Sequence, residues 1–133
     1  MNLFEPYRTE PYSDFSQPGP RGAFEAALAG VRGQLGREYP LVIGGEDVTT
    51  AHGLIASVNP CNTGEVVGYA AKAKRKEVER ALNAAWDAYP GWSRLTMAER
   101  ARALVKLAAV MRRRKFELAA WETLEASKNF AEA

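Results

Sequence analysis

The chain has 133 residues, of which 47% are hydrophobic and 26% are charged, as is typical of one soluble globular domain. Its 18 basic and 16 acidic residues give a formal net charge of +2, which is too balanced to imply a nucleic-acid partner. No stretch approaches the roughly 20 apolar residues of a membrane-spanning helix, and residues 1–15 lack the basic start and apolar run of a secretory signal, so no membrane partner is expected.

The first 20 residues are predicted to form an extended arm. Four prolines in this stretch disfavour helix, because each lacks an amide donor and restricts the residue before it. The arm also carries four aromatic residues, Phe4, Tyr7, Tyr12 and Phe15. Aromatic side chains bury large areas, so we expect the arm to pack along a neighbouring surface.

An amphipathic helix is predicted from Arg21 to Arg37. Its apolar residues recur at spacings of four, three and four and so form one stripe: Phe24, Leu28, Val31 and Leu35. Gly30 and Gly33 each weaken the helix by about 1 kcal/mol relative to alanine, so the stripe needs a surface to pack against. Gly36 and Pro40 are expected to mark its end.

Four short strands are predicted next, over residues 41–43, 46–50, 54–58 and 65–71. Gly44 and Gly45, between the first two strands, are typical of a hairpin turn. The dense turn formers of residues 59–64 separate the last two strands.

The rest of the chain is predicted to be helical over 74–92, from Thr96 through Met111, over 116–126, and starting again at 130–133. The first of these helices carries an apolar stripe with Val78, Leu82 and Trp86, and is expected to end at Pro90-Gly91. Thr96 and Glu99 have the spacing of a capping box, in which each satisfies a free amide at the start of the helix.

Cys61 is the only candidate thiol nucleophile, and its position argues against catalysis. It lies in a predicted turn without a flanking histidine or helix start that would activate it. His52 is the only histidine, so a Cys–His pair would require these two residues to meet in space. Two such ligands are also too few for a structural zinc site. We predict no catalytic and no metal-binding residue, and the single cysteine favours a reducing compartment, the cytoplasm.

The glycine pair and the charged runs are predicted to be structural. Gly44 and Gly45 lie between strands, whereas phosphate-binding loops need a helix directly after the glycines, so no cofactor-binding residue is predicted. The basic runs at 112–115 and 72–76 could contact an anion. The first follows an apolar helical stripe, where cations complement the helix dipole, so we expect a solvated face or a subunit contact. The carboxylates of Glu122 and Glu125 are likewise expected to be solvated.

Three segments, in order, resemble the aldehyde dehydrogenase superfamily. The stretch NPCNTGEVVG at 59–68 is similar to its N-terminal Asn-Pro and Gly-Glu-Val segment. Residues 81–92 look like its A-x-x-A-A-x-x-A-[FY]-x-x-W helix. Residues 99–104, together with the basic run 112–115, resemble the helix that follows.

Three further stretches resemble the bacterial L-glutamate γ-semialdehyde dehydrogenase branch of this family. EPYSDF at 10–15 is similar to the N-terminal arm of those enzymes, and YPLVIGGE at 39–46 to their first hairpin. KNFAEA at 128–133 looks like their GK-[NP]-W-x-E-A stretch. Ser127 and Phe130 depart from that pattern, which usually has Gly and Trp at these positions.

The resemblance implies an α/β fold of the aldehyde dehydrogenase type, of which residues 21–133 would be the incomplete N-terminal part of the cofactor-binding domain. The expected parts are the arm, a helix, short β-hairpins and two or three long amphipathic helices, without the Rossmann core. The resemblance also implies NAD-dependent oxidation of L-glutamate γ-semialdehyde to L-glutamate in proline degradation. The family's catalytic cysteine, general base and NAD contacts would lie downstream, so we expect this chain alone to be inactive and to bind no NAD.

Two hypotheses about the chain itself stay open. In the first it is a truncated dehydrogenase, which pairs with the remainder of the enzyme or with itself. In the second it is a non-catalytic module that associates with a full-length dehydrogenase or another protein. The stripes at Phe24–Leu35 and Val78–Trp86 would normally pack on the missing core, so we expect both to be exposed and to favour association. Anion or nucleic-acid binding through residues 112–115 is a weaker alternative.

Overall fold

A computed structural model of the chain describes Pro6 and residues 8–133, so Phe4 and Tyr7 of the predicted arm lie outside the described residues. The described residues form four helices and five strands, in the order α1 (Pro18–Arg32), β1 (Arg37–Tyr39), β2 (Leu41–Ile43), β3 (Glu46–Val48), β4 (Leu54–Asn59), β5 (Asn62–Ala71), α2 (Arg75–Ser93), α3 (Met97–Arg113) and α4 (Lys115–Ala126). This confirms the predicted α/β class.

Helix α1 is displaced toward the N-terminus from its predicted position. It begins at Pro18. Proline is tolerated in the first turn of a helix, because the amide hydrogen that it lacks would have no acceptor within the helix. It ends at Arg32 rather than Arg37, and Gly36 then takes a positive φ of 75°, which turns the chain away. Arg37 starts strand β1, which the sequence pattern did not predict.

The strands form a three-stranded sheet and a separate hairpin. In the larger sheet the order is β1-β5-β4, with β5 parallel to β1 and antiparallel to β4. Strands β2 and β3 form the predicted hairpin on their own. The parallel pair β1 and β5 has no helix between its members, so the described residues contain no Rossmann-type unit at this pair.

The predicted capping box at the start of α3 is confirmed. The Glu99 amide donates to Thr96 Oγ1 at 3.3 Å, and the Thr96 amide donates to Glu99 Oε2 at 2.8 Å. The predicted end of α2 at Pro90-Gly91 is wrong, because the helix continues to Ser93. The helix continues past Pro90 although this residue lacks an amide donor. The loss is small, because the helix ends soon afterwards, at Ser93.

Residues 130–133 after α4 were predicted to start another helix, and they form a turn instead. The side-chain oxygen of Asn129 accepts hydrogen bonds from the amides of Ala131 and Glu132, at 3.0 and 3.1 Å. The Ala133 amide donates to the Asn129 carbonyl at 3.1 Å. The segment is a hydrogen-bonded turn that begins at Asn129.

The core lies between α1 and α4. Its buried residues are Phe24 and Val31 of α1 and Ala119, Ala120 and Leu124 of α4. Phe15 of the arm packs edge-on against Phe24, with ring centroids 5.6 Å apart, as expected for an arm that covers a neighbouring surface. Tyr12 does not follow that expectation, since it is 91% exposed.

Candidate functional site

Cys61 and His52 lie at opposite ends of strand β4. Cys61 is exposed in the turn between β4 and β5, where its amide donates to Asn59 Oδ1 at 3.0 Å. His52 precedes β4, and its Nε2 lies 3.5 Å from Oε2 of Glu77 on α2. The six residues of β4 separate them by about 20 Å, at roughly 3.3 Å per residue. The structure therefore does not bring the two candidate catalytic residues together.

The glycine pair forms the turn between β2 and β3. Gly44 and Gly45 have φ values of 64° and 84°, the positive pair that a tight hairpin turn requires, and strand β3 follows directly. In the part of the chain that the structure describes, no group of three or more His, Cys, Asp or Glu side chains could hold a metal ion.

The basic run at 112–115 is exposed, as predicted, and it also holds the arm. Arg112 Nε donates to Glu10 Oε1 at 2.6 Å, and Lys115 Nζ donates to the Pro11 carbonyl at 3.4 Å. Arg114 makes two hydrogen bonds to Glu117, at 2.8 and 2.6 Å. The contacts between the run and the arm are more than 100 positions apart in sequence, and the charge pattern did not indicate them.

Acid is expected to weaken the contact between the arm and α3. The hydrogen bond from Arg112 holds the pKa of Glu10 below its ordinary value of 4.5. Because the folded-state pKa is lowered, the contact stabilises the bound arm above the ordinary pKa and is lost as the pH falls through the lower value. Both side chains are mostly exposed, so the effect should be small and weakened by salt.

Nuclear magnetic resonance relaxation of residues 9–14 would measure the resulting small rise in mobility of the arm. Glu10→Gln should give at neutral pH the arm mobility that the unchanged chain shows only in acid. Glu46→Gln removes a carboxylate that pairs with Arg80 away from the arm, and should leave the arm unchanged. An arm that stays equally ordered in Glu10→Gln would contradict the expectation.

Apolar side chains of α2 and α3 lie on the surface. Neither helix has a buried residue, and Leu82, Trp86 and Leu104 are 57%, 68% and 68% exposed. The predicted exposure of the α2 stripe is therefore confirmed. The same expectation for α1 is wrong, because Phe24 and Val31 are buried against α4 of the same chain. No helix of the described part is long and apolar enough to cross a membrane.

A cleft of about 450 Å³ opens between α4 and the three-stranded sheet. Three aromatic residues line it, Tyr39 of β1, Tyr69 of β5 and Trp121 of α4. Tyr39 lies over Gly68 of β5, where a β-carbon would stand 2.9 Å from Cε2 of the ring. The close approach of this ring to β5 therefore depends on the glycine.

Three charged residues also line the cleft: Arg114, Glu117 and Glu125. The two hydrogen bonds from Arg114 to Glu117 hold the pKa of that carboxyl below its ordinary value. Glu125 Oε1 accepts a hydrogen bond from Ser57 Oγ at 3.1 Å. No lysine or arginine among the described residues forms an ion pair with Glu125. One arginine against two glutamates leaves the lining with one net negative charge.

The sequence pattern did not group the residues of this cleft. Glu122 and Glu125 were predicted to be solvated, and both are exposed; Glu122 pairs with Lys128, and Glu125 lines the cleft. The tyrosines come together through the parallel pairing of β1 with β5, in which Tyr39 stands opposite Ala70. A pairing between strands so distant in the sequence leaves no local periodic signal that would have revealed it.

Comparison with known proteins matches the chain to dehydrogenases. The aldehyde dehydrogenase family model matches residues 48–133. The chain is 48% and 49% identical over 131 residues to the 1-pyrroline-5-carboxylate dehydrogenases of Geobacillus thermodenitrificans and Geobacillus kaustophilus, which covers 98% of this chain and 25% of each relative. Among solved structures, 1-pyrroline-5-carboxylate dehydrogenase from Thermus with bound NAD has a TM-score of 0.93 and 46% identity, covering 99% of this chain and 25% of that one.

These similarities confirm the predicted resemblance to the bacterial glutamate-semialdehyde branch. The chain spans about a quarter of the length of the curated relatives that it matches. The matched range contains the 59–68 stretch and both helices on which the family resemblance rests. Since the family model matches more than half of the sequence, the chain belongs to the aldehyde dehydrogenase family.

Proposed function

We propose that the chain is the N-terminal segment of an NAD-dependent 1-pyrroline-5-carboxylate dehydrogenase, which oxidises L-glutamate γ-semialdehyde to L-glutamate in proline degradation. The observation that carries the proposal is the 46% identity and TM-score of 0.93 to the NAD-bound Thermus enzyme over 99% of this chain. In this proposal the catalytic and NAD-contacting residues lie outside the 133 residues. The chain alone is then inactive and binds no NAD.

Within such an enzyme, the residues before α1 would be the arm, and residues 18–133 would be the first part of the cofactor-binding domain, three residues earlier than the sequence pattern predicted. The α1–α4 core and the sheet are internal to the segment. The exposed apolar faces of α2 and α3 would pack on the remainder of the dehydrogenase, because large apolar side chains such as Trp86 gain free energy on leaving water. The single cysteine of this segment is free, which fits a reducing compartment, so we propose a cytoplasmic location.

A chimera tests this proposal. The chain would replace the matching residues of the Geobacillus thermodenitrificans enzyme, and NADH formation from L-glutamate γ-semialdehyde would be measured for the chimera and for the isolated chain. We expect activity in the chimera and none in the isolated chain. A folded chimera without activity would refute the proposal, as would turnover by the isolated chain that Cys61→Ala abolishes.

The same chimera tests the role of the α2 face. Leu82→Glu places a charge in the exposed apolar stripe, so it should prevent packing on the remainder of the enzyme and abolish most activity. Asn83→Glu adds the same charge at the next exposed position, outside the stripe, and should leave activity nearly unchanged. Equal losses in the two variants would argue against a packed α2 face.

A second candidate function is a non-catalytic module that associates with a full-length dehydrogenase or another protein. The exposed apolar residues of α2 and α3 favour it, because apolar patches of this kind mark association sites. Light scattering of the isolated chain should then show oligomers that Leu82→Glu converts to monomers. A well-behaved monomer at all concentrations would count against self-association, and an active chimera would favour the first function.

A further inference from the structure

We propose that the cleft between α4 and the three-stranded sheet binds a small organic cation, with a quaternary ammonium or a guanidinium group. Tyr39, Tyr69 and Trp121 line the cleft from three different elements. Cations are attracted to the electron-rich faces of aromatic rings, and most strongly to tryptophan. A cleft lined by several aromatic residues suits a weakly hydrated organic cation better than it suits a metal ion, which requires oxygen, nitrogen or sulfur ligands.

The charges of the cleft favour the same class of ligand. Arg114, the one cationic residue of the lining, is held by Glu117 through two hydrogen bonds, so that this pair is close to neutral. Glu125 is the excess charge, and its described contact is with the neutral Ser57 hydroxyl. Because Glu125 is exposed to solvent, its attraction for a bound monocation is modest, and its charge disfavours an anion.

The volume of about 450 Å³ lies within the usual range of small-molecule sites, roughly 300–1,000 Å³. It can hold a free quaternary ammonium compound or the side chain of an arginine from another polypeptide segment. These two sources share the same chemistry and differ in the shape of the cationic group. All of the residues that line the cleft lie within the 133 residues.

Nuclear magnetic resonance of the 133-residue chain can test the site through the indole N–H signal of Trp121. The chain would be titrated with choline, with arginine amide and with the neutral tert-butyl analogue of choline. We expect a saturable shift with at least one cation and binding about tenfold weaker for the neutral analogue. Tighter binding of choline would indicate a free quaternary ammonium ligand, and tighter binding of arginine amide an arginine side chain.

Two variants separate the site from non-specific binding. Glu125→Gln removes the excess charge of an exposed carboxylate and should weaken cation binding by about two- to fivefold. Tyr39→Leu removes one aromatic wall and should also weaken it. Glu122→Gln removes a carboxylate from the same helix outside the cleft and should bind as the unchanged chain does. The proposal is wrong if no saturable shift occurs, if the neutral analogue binds equally well, or if Glu122→Gln and Glu125→Gln lose affinity equally.

Discussion

Replacing Phe24 by alanine is expected to lower the free energy of unfolding by about 3–5 kcal/mol, the usual loss for a buried phenylalanine. Phe24 is 1% exposed, and its ring lies 5.6 Å from Phe15 and 4.6 Å from Phe130. It therefore joins the arm, α1 and the last turn of the chain. Its removal would leave a cavity at the point where these three segments meet, and rigid neighbours fill such a cavity only in part.

Urea unfolding followed by circular dichroism would measure this loss. Trp86→Ala is the matched control, because it truncates an even larger aromatic side chain that is 68% exposed. That change should cost less than about 1 kcal/mol in the isolated chain, as surface substitutions usually do. If the two variants lost the same stability, the core between α1 and α4 would not be the main source of stability.

Replacing Ser127 by glycine is expected to raise the free energy of unfolding by about 1–2 kcal/mol. Ser127 follows α4 with a φ of 55°, a left-handed conformation in which a β-carbon crowds the next carbonyl. Its hydroxyl is also buried without a hydrogen-bond partner among the described residues. Glycine removes both penalties, although its greater freedom in the unfolded state offsets part of the gain.

Ser127→Ala separates these two causes, because it removes the hydroxyl and keeps the β-carbon. Thermal unfolding should rank the glycine variant above the alanine variant, and the alanine variant above the unchanged chain. A glycine variant less stable than the unchanged chain would contradict the prediction, because the two penalties together would then be smaller than the entropic cost of glycine. The expected gain also gives a physical reason for the glycine that the glutamate-semialdehyde branch usually has at this position.

Local signals predicted those elements that depend on residues close together in the sequence. The capping box of Thr96 and Glu99 joins groups three residues apart, and the turn at Gly44-Gly45 needs only the positive φ that glycine allows. Strand β1 was missed because its three residues are exposed and pair with residues of β5 that lie 31 positions later, as Arg37 does with Gly68. A short strand of that kind has no pattern of its own.

Residue types at fixed spacings were enough to predict the family, the α/β class and the apolar stripe of α2. Which apolar stripe is buried could not be predicted in this way, because it depends on the packing of distant helices. Phe24 and Val31 meet α4 inside the chain, whereas Leu82 and Trp86 have no apolar layer over them. The cleft that contains Glu125 also depends on such packing, because residues of β1, β5 and α4 line it. The physical reason is that periodicity shows which face of an element is apolar, while its partner depends on contacts between distant segments.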